Sequence, residues 1–165
     1  MQYVEAPENP PMVWQPIAFM AGGITGCPDW QKDLVAKLDG VKEGCLCNPR
    51  RAKWDMEDKE AESVRQIQWE FMWSWRASIV TFWFPKETLC PITLFELGAH
   101  LIRSRLAQVN APSLCIGIDP GYQRALDVRV QTKLVDPRIP IVDSLDGLAG
   151  FIAEQVALKA AEDKK

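Results

Sequence analysis

A chain of 165 residues with 47% hydrophobic and 25% charged side chains has the composition of a folded globular protein, and we predict a single domain over residues 1–165. A formal net charge of −3 gives no general attraction to nucleic acid or to an anionic membrane surface, so the partner expected is a small molecule. The sequence shows no secretory signal pattern and no run of about 20 apolar residues, which predicts a soluble, cytoplasmic protein.

The five cysteines do not form a metal-binding pattern. No two of them are spaced as Cys-x-x-Cys, and His100 is the only histidine, so the sequence predicts no metal site and no cofactor. Cys45 and Cys47 lie two residues apart, and on a strand both would point to the same face. Unpaired cysteines of this kind are typical of buried thiols in a reducing compartment.

Short apolar runs alternate with helical patterns along the chain. The predicted strands are Ile17–Ala21, Cys45–Cys47, Ser78–Phe84, Ser113–Ile118 and Pro140–Val142. The predicted helices are Pro28–Leu38, Lys59–Arg76, Pro91 to about Gln108, Gln123–Thr132, and a last helix capped by Ser144 and ending near Ala161. The second helix carries an apolar series along one side, namely Val64, Ile67, Phe71 and Trp75. Residues 1–12 and 162–165 are expected to be frayed.

Strands that alternate with helices predict parallel β-α-β units, with helices on both faces of the sheet. Five strands suggest a flavodoxin-like α/β fold in which the predicted strands, numbered along the chain, lie in the order 2-1-3-4-5. Such sheets bind ligands beyond the carboxyl ends of their strands, where the strand order reverses. The loops expected there are the one at Gly22, Asn48–Trp54, Phe84–Glu96 and Asp119–Asp127.

The first of these loops, Ala21–Gly26, contains Gly22 and Gly23. Glycines allow a ligand to approach the backbone closely and leave amide groups free to bind it. The loop has neither the Gly-Lys-Ser/Thr of a P-loop nor a GxGxxG pattern. A plain tight turn is the alternative interpretation.

The loop Asn48–Trp54 combines an indole with three cations, which are Arg50, Arg51 and Lys53. A guanidinium group binds phosphate in bidentate fashion, and an indole stacks on a base, so the loop is a candidate nucleotide-binding segment that includes Asn48. The alternative is a solvated basic loop, whose arginines point to solvent or pair with acids such as Asp55 and Glu57.

Glu96 lies just past the first turn of the helix that begins at Pro91, at the edge of the sheet where ligands bind. Apolar neighbours would desolvate it partly, while the positive end of the helix would favour its ionised form. Such a carboxylate is a competent nucleophile toward an anomeric carbon. Gly98 would allow another backbone to approach closely. Glu70, near the end of the preceding helix, is the candidate partner, although both glutamates also fit ordinary helix-surface positions.

Several segments together resemble the nucleoside 2-deoxyribosyltransferase family, especially its compact bacterial and phage-type members. The matching segments are Phe19–Gly26, Asp29-Trp30, Asn48–Arg51, Gln66–Glu70, Phe82–Pro85, Pro91–Gly98 and Asp119–Tyr122, followed by Arg124 and Asp127. They occur in the same order, on the expected elements, between about residues 17 and 130.

The resemblance implies a flavodoxin-like enzyme that transfers 2-deoxyribose between bases or hydrolyses the N-glycosidic bond. It implies that Glu96 is the nucleophile, forming a covalent glycosyl ester, and that Glu70 handles protons at the base. Asp127 aligns with a family residue that caps a neighbouring subunit's site, which implies a homo-oligomer with shared active sites. Aromatic residues are expected to stack on the base, at Trp83 (or else in the core), Phe84 and Tyr122.

Two departures from the family pattern bear on activity. The well-studied transferases carry an aspartate six residues before the nucleophile, where this chain has Cys90, and their first-strand tyrosine has no clear counterpart. Two other functions therefore remain open. One is a nucleotide N-glycoside hydrolase that binds a 5′-phosphate through Arg50 or Arg51, and the other is a non-catalytic nucleotide-binding module.

Overall fold

The computed structural model describes residues 1–11, 15–52, 58–107 and 111–162. Its strands are β1 (Gln2–Glu5), β2 (Ile17–Gly22), β3 (Cys45–Asn48), β4 (Ile79–Phe84), β5 (Ser113–Ile118) and β6 (Ile141–Val142). Its helices are α1 (Trp30–Lys37), α2 (Lys59–Arg76), α3 (Pro91–Leu106), α4 (Ala125–Val135) and α5 (Leu145–Glu162). No helix in these ranges is both long and apolar enough to span a membrane.

All six strands form one parallel sheet in the order β1-β3-β2-β4-β5-β6. The five predicted strands take the predicted flavodoxin-like order, so the fold class is confirmed. The prediction that residues 1–12 are frayed was wrong for β1, which pairs along its whole length with β3. All four residues of β3 are buried, and a buried strand needs partners for its backbone groups on both sides.

Helices cover both faces of the sheet, as a parallel sheet requires. Side chains of β4 alternate between the two faces, so Phe82 and Phe84 enter the core that includes residues of α2, α3 and α4. Trp83 points the other way, into the core that includes residues of α1 and α5. This alternation decides which side chains of β4 can reach the edge of the sheet where α3 begins.

Local signals set the ends of the helices next to that edge. Asp58 caps α2, because its carboxylate accepts a hydrogen bond from the backbone N–H of Ala61 at 3.0 Å. Pro91 occupies the first turn of α3, where a missing N–H costs nothing. Cys90 precedes it with a φ of 49°, in the left-handed region that is unusual for a residue with a side chain.

The apolar side predicted for α2 faces away from the sheet. Ile67 and Phe71 are exposed, whereas Gln66, Trp69 and Trp73 are buried on the inward side. The helix therefore buries two indoles together with polar side chains, and it leaves an apolar stripe on the outside of the chain.

We predict that Gly117→Ala lowers the free energy of unfolding by about 1–3 kcal/mol, the usual cost of overpacking a core. A Cβ at Gly117 would lie 2.5 Å from Cε3 of Trp83 and 2.8 Å from Cδ1 of Leu148. Urea unfolding followed by tryptophan fluorescence measures the change. The control is Gly150→Ala in α5, where an added Cβ has no atom within 4 Å, and it should raise stability by roughly 0.5–1 kcal/mol. Equal changes in the free energy of unfolding for the two variants would contradict this packing of Gly117.

Candidate active site

A cavity of about 300 Å³ opens at the carboxyl ends of β2 and β4, where the strand order reverses. Its volume is at the lower end of the range for small-molecule sites. The walls come from β2 and its loop, Pro49 after β3, Glu70 on α2, and the segment from Thr88 to Glu96. Of the four loops expected at this edge, Asp119–Asp127 does not line the cavity.

The glycine loop after β2 forms one wall, and packing explains its composition. A Cβ at Gly22 would lie 2.5 Å from Cζ2 of Trp30 and 2.6 Å from the carbonyl oxygen of Trp83. The indole N–H of Trp30 donates to the carbonyl oxygen of Gly23 at 2.7 Å. Gly22 and Gly23 thus serve as a tight turn and also expose backbone to the cavity.

Glu96 and Glu70 both line the cavity, from α3 and α2 respectively. Burial, and after it the nearby charge of Glu70, raises the pKa of Glu96 to about 7. Burial also raises the pKa of Glu70, against the opposing effects of a hydrogen bond from Gln66 and the positive charge of Arg51. The expectation that the helix end keeps Glu96 ionised was wrong, because desolvation and the like charge of Glu70 both favour the protonated form.

Gln66 joins this acid pair to the loop after β3. Its side-chain Nε2 donates to the carbonyl oxygen of Pro49 and to Oε1 of Glu70, each at 2.7 Å. Gln66 and Glu70 are four residues apart on α2, a spacing that brings side chains together on one helix face. The carboxylate of Glu70 is therefore held by its own helix and, through Gln66, by the wall of the cavity.

Arg50 and Arg51 both point away from the cavity. The Arg50 guanidinium donates to the carbonyl oxygens of Cys27 and Pro28 at 3.1 and 2.8 Å, and to Oε1 of Gln31 at 3.1 Å. Arg51 is nearly buried and forms an ion pair with Glu62 at 2.7 Å. The loop uses these cations to tie itself to α1 and α2.

The suggested partners Asp55 and Glu57, like Lys53 and Trp54 of the predicted basic loop, lie outside the described residues.

Asn48 is buried and lies outside the wall of the cavity. Its Nδ2 donates to the Tyr3 hydroxyl at 2.7 Å, and its Oδ1 accepts the backbone N–H of Arg50 at 2.9 Å. Both ends of its amide are therefore engaged within the protein, where they fix the turn that presents Pro49.

The aromatic residues expected to stack on a base are core residues. Phe84 and Tyr122 pack on each other with ring centroids 5.2 Å apart, and the Tyr122 hydroxyl donates to the carbonyl oxygen of Leu89 at 2.9 Å. Trp83 lies on the opposite face of the sheet. The apolar walls are instead provided by residues that the sequence did not single out, namely Phe19, Pro49, Pro91 and Ile92. The available signal was that Pro49 directly follows a strand and that Pro91 and Ile92 begin the helix after the strongest one, whereas nothing marked Phe19, which lies within β2.

Cys90 lines the cavity at the place of the family's aspartate. Burial raises the pKa of its thiol to about 12, and the neighbouring Cys27 contributes to the rise. A thiol of this kind is neutral near pH 7 and cannot supply the negative charge of an aspartate. In the described part of the chain, no three Cys, His, Asp or Glu side chains converge as a metal site would require.

Asp127 lies on α4, outside the cavity wall, in an ion pair with Arg124 at 3.2 Å. Gly98, predicted to permit close approach of another backbone, has no atom within 4 Å of an added Cβ. Both residues are open on the outside of the chain.

We predict that Glu96→Gln stabilises the protein at pH 8 and leaves its stability unchanged at pH 4. The folded state holds the Glu96 proton up to about pH 7, whereas the unfolded chain loses it near the ordinary value of 4.5. Wild-type stability therefore falls as the pH rises from about 4.5 to 7, and a glutamine cannot ionise. Urea unfolding should give a difference of roughly 1–3 kcal/mol at pH 8. The exposed Glu154→Gln is the control, and parallel pH profiles for all three proteins would refute the prediction.

Comparison with known families gives a match to this chain. No individual curated protein matches the chain. The family model described as nucleoside 2-deoxyribosyltransferase like matches residues 15–112, which include the glycine loop, the loop after β3, Glu70 and Glu96. The match covers more than half of the chain, which therefore belongs to the nucleoside 2-deoxyribosyltransferase-like family.

Proposed function

We propose that this protein cleaves the N-glycosidic bond of a nucleoside, with Glu96 as nucleophile, and passes the sugar to another base or to water. The observation that carries the proposal is the pair of carboxyl groups, Glu96 and Glu70, in one cavity at the point where the strand order reverses. Two neighbouring carboxyl groups whose environments separate their pKa values are the usual equipment for double displacement at an anomeric carbon.

The mechanism begins with one proton shared by the pair. When substrate binds, the proton leaves Glu96 for Glu70, and the Glu96 carboxylate attacks C1′. The C1′–N bond breaks, its electron pair goes to the base, and Glu70 gives its proton to that nitrogen. A second base or a water molecule then loses a proton to Glu70 and displaces Glu96 from C1′. Two inversions give net retention, and the transition state is stabilised by the carboxylate charge.

The substrate that fits these contacts best is a nucleoside without a 5′-phosphate. Arg50 would have to give up three acceptors to bind a phosphate, and Arg51 would have to leave Glu62. Glu62 would then keep only Arg65, whose side chain is 56% exposed, so a largely buried carboxylate oxygen would lose its partner, which is unfavourable. A phosphate-dependent nucleotide hydrolase is therefore the less favoured alternative.

We predict that Glu96→Gln and Glu96→Ala reduce product formation at least ~100-fold, the usual scale for loss of a catalytic group. The assay incubates the protein with a deoxynucleoside and a foreign base, and chromatography detects new nucleoside, free base and free sugar. Wild-type protein denatured during turnover should carry the mass of one sugar, and Glu96→Gln should carry none. Wild-type rates in Glu96→Gln would rule out the proposed nucleophile.

The same assay separates the alternatives. New nucleoside identifies a transferase and free sugar identifies a hydrolase, whereas saturable binding without either product identifies a binding module. A nucleoside and its 5′-monophosphate should give similar KM values, and Arg50→Ala should change both equally. A monophosphate preference that disappears in Arg50→Ala would favour the nucleotide hydrolase instead.

We further propose that the protein forms a homo-oligomer with shared active sites. The outward sides of α2, α3 and α4 expose large apolar side chains, which are Ile67, Phe71, Trp75, Ile92, Phe95, Ile102, Leu106, Leu126, Val130 and Leu134. Exposed apolar surface of this extent is typical of protein interfaces. A groove of about 950 Å³ between Trp75 and α3 belongs to the same surface.

This apolar surface reaches the rim of the cavity. Ile92 is exposed and also lines the cavity, while Phe95, the neighbour of Glu96, is 79% exposed. A second copy seated on this surface would cover the cavity and exclude water from it. Asp127 lies on α4 beside exposed Leu126, so it is available to a neighbouring subunit's site.

We predict a solution mass of at least two 18.6 kDa chains by light scattering, and a mass of one chain for Phe95→Glu. A charge placed in an apolar interface is costly to bury, whereas it is solvated on the free chain. The control is Leu158→Glu, at another exposed apolar residue, on α5 at the opposite face of the sheet. A wild-type mass of one chain, or dissociation by Leu158→Glu alone, would remove the proposed interface.

A further inference from the structure

Gln66 is a buried side chain that contacts Glu70 of the acid pair without lining the cavity. Its Nε2 uses both hydrogens, one on the carbonyl oxygen of Pro49 and one on Oε1 of Glu70. An amide nitrogen is a donor only, so it stabilises a lone pair of Glu70 and cannot accept a proton from it. The contact therefore favours the ionised form of Glu70.

The orientation of this amide is locked by the loop after β3. The Pro49 carbonyl oxygen can only accept, and the Asn48 side chain fixes the turn around it through Tyr3 and the backbone N–H of Arg50. Rotating the Gln66 amide by half a turn would place its oxygen against the Pro49 oxygen. Gln66 must therefore keep presenting a donor to Glu70.

A packing role alone does not explain a glutamine here. Oε1 of Gln66 is buried without a hydrogen-bond partner among the described residues, an arrangement that costs free energy. An apolar side chain of the same length would fill the space without that cost. The donor function of Nε2 is what distinguishes glutamine from such a side chain.

We propose that Gln66 is a positioning residue that keeps Glu70 ionised and thereby assigns the single proton of the acid pair to Glu96 in the free protein. This inference rests on the function proposed above for the two glutamates. It makes Glu70 a temporary proton carrier: a proton received from Glu96 is less stable beside the Gln66 donor, which favours its transfer to the departing base.

Few other charged groups bear on the pair. Arg51, from the loop after β3, acts on Glu70 in the same direction as Gln66, but its charge is largely shared with Glu62 on α2. On α3, His100 lies one turn beyond Glu96, and burial lowers its pKa to about 4, so it is neutral where Glu96 titrates. The charge that acts on Glu96 is that of Glu70, and the charge that acts on Glu70 is that of Arg51.

The test is a carboxyl titration of the full chain, labelled with ¹³C at glutamate and followed by NMR without substrate. Glu70→Gln and Glu96→Gln assign the two signals. In the wild type, Glu70 should titrate below Glu96. In Gln66→Met, the Glu70 midpoint should rise by about one pH unit, because the hydrogen bond to the charged group is lost. The Glu96 midpoint should fall by a smaller amount, because Glu70 then holds the shared proton more of the time. The acid limb of kcat/KM, where Glu70 takes up a second proton, should rise with the Glu70 midpoint, and the basic limb, where Glu96 loses the single proton, should follow the Glu96 midpoint.

Gln66→Glu replaces the donor by an acid and should raise the Glu70 midpoint further, so two variants report on the same contact. Exposed Gln68→Met on α2 should leave both midpoints unchanged. Unchanged midpoints in Gln66→Met, or wild-type Glu70 titrating above Glu96, would overturn the inference. Failure of the proposed function has a different signature, because then no product or sugar adduct forms in the wild type whatever the midpoints are.

Discussion

Two carboxyl groups that share a small, largely apolar cavity cannot both be ionised without a large cost in free energy. The arrangement of the site follows from this constraint. Burial raises the pKa of both Glu96 and Glu70, and each carboxylate repels the other. A fold that keeps such a pair must stabilise the ionised form of one member more than that of the other. Here the difference comes from Glu70, which receives a hydrogen bond from Gln66 and the attraction of Arg51, whereas Glu96 has neither.

The support for that asymmetry comes from the end of β3 and the loop that follows it. Tyr3 on β1 is hydrogen-bonded to Asn48, and the next residue, Pro49, accepts a hydrogen bond from Gln66, which also donates to Glu70. The loop after β3, which the sequence suggested as a phosphate-binding segment, thus supports the acid pair. Its arginines serve the same end, because they fasten the loop to α1 and α2.

The sequence predicts the elements better than the directions of their side chains. The bounds of α2 and β5 agree with the predictions at both ends, because capping residues and prolines mark them locally. The edge strand β1 was missed, because a short polar strand gains stability only from its partner. The order of the segments along the chain was enough to place Glu96 and Glu70. The side-chain directions of Phe84, Tyr122 and Arg50 depend on packing against distant parts of the chain, and no local sequence pattern predicts them.

The place of β1 at the edge of the sheet has a consequence for how the chain folds. A parallel sheet contains no hairpins, so every strand pair joins distant parts of the chain, and such topologies fold slowly. β1 pairs only with β3, and a two-stranded parallel ribbon is not stable by itself. We therefore expect the nucleus to form among the central strands, with β1 joining once β2 and β3 are paired. Because Tyr3 is hydrogen-bonded to Asn48, the contacts that support the acid pair are complete only when β1 has joined the sheet.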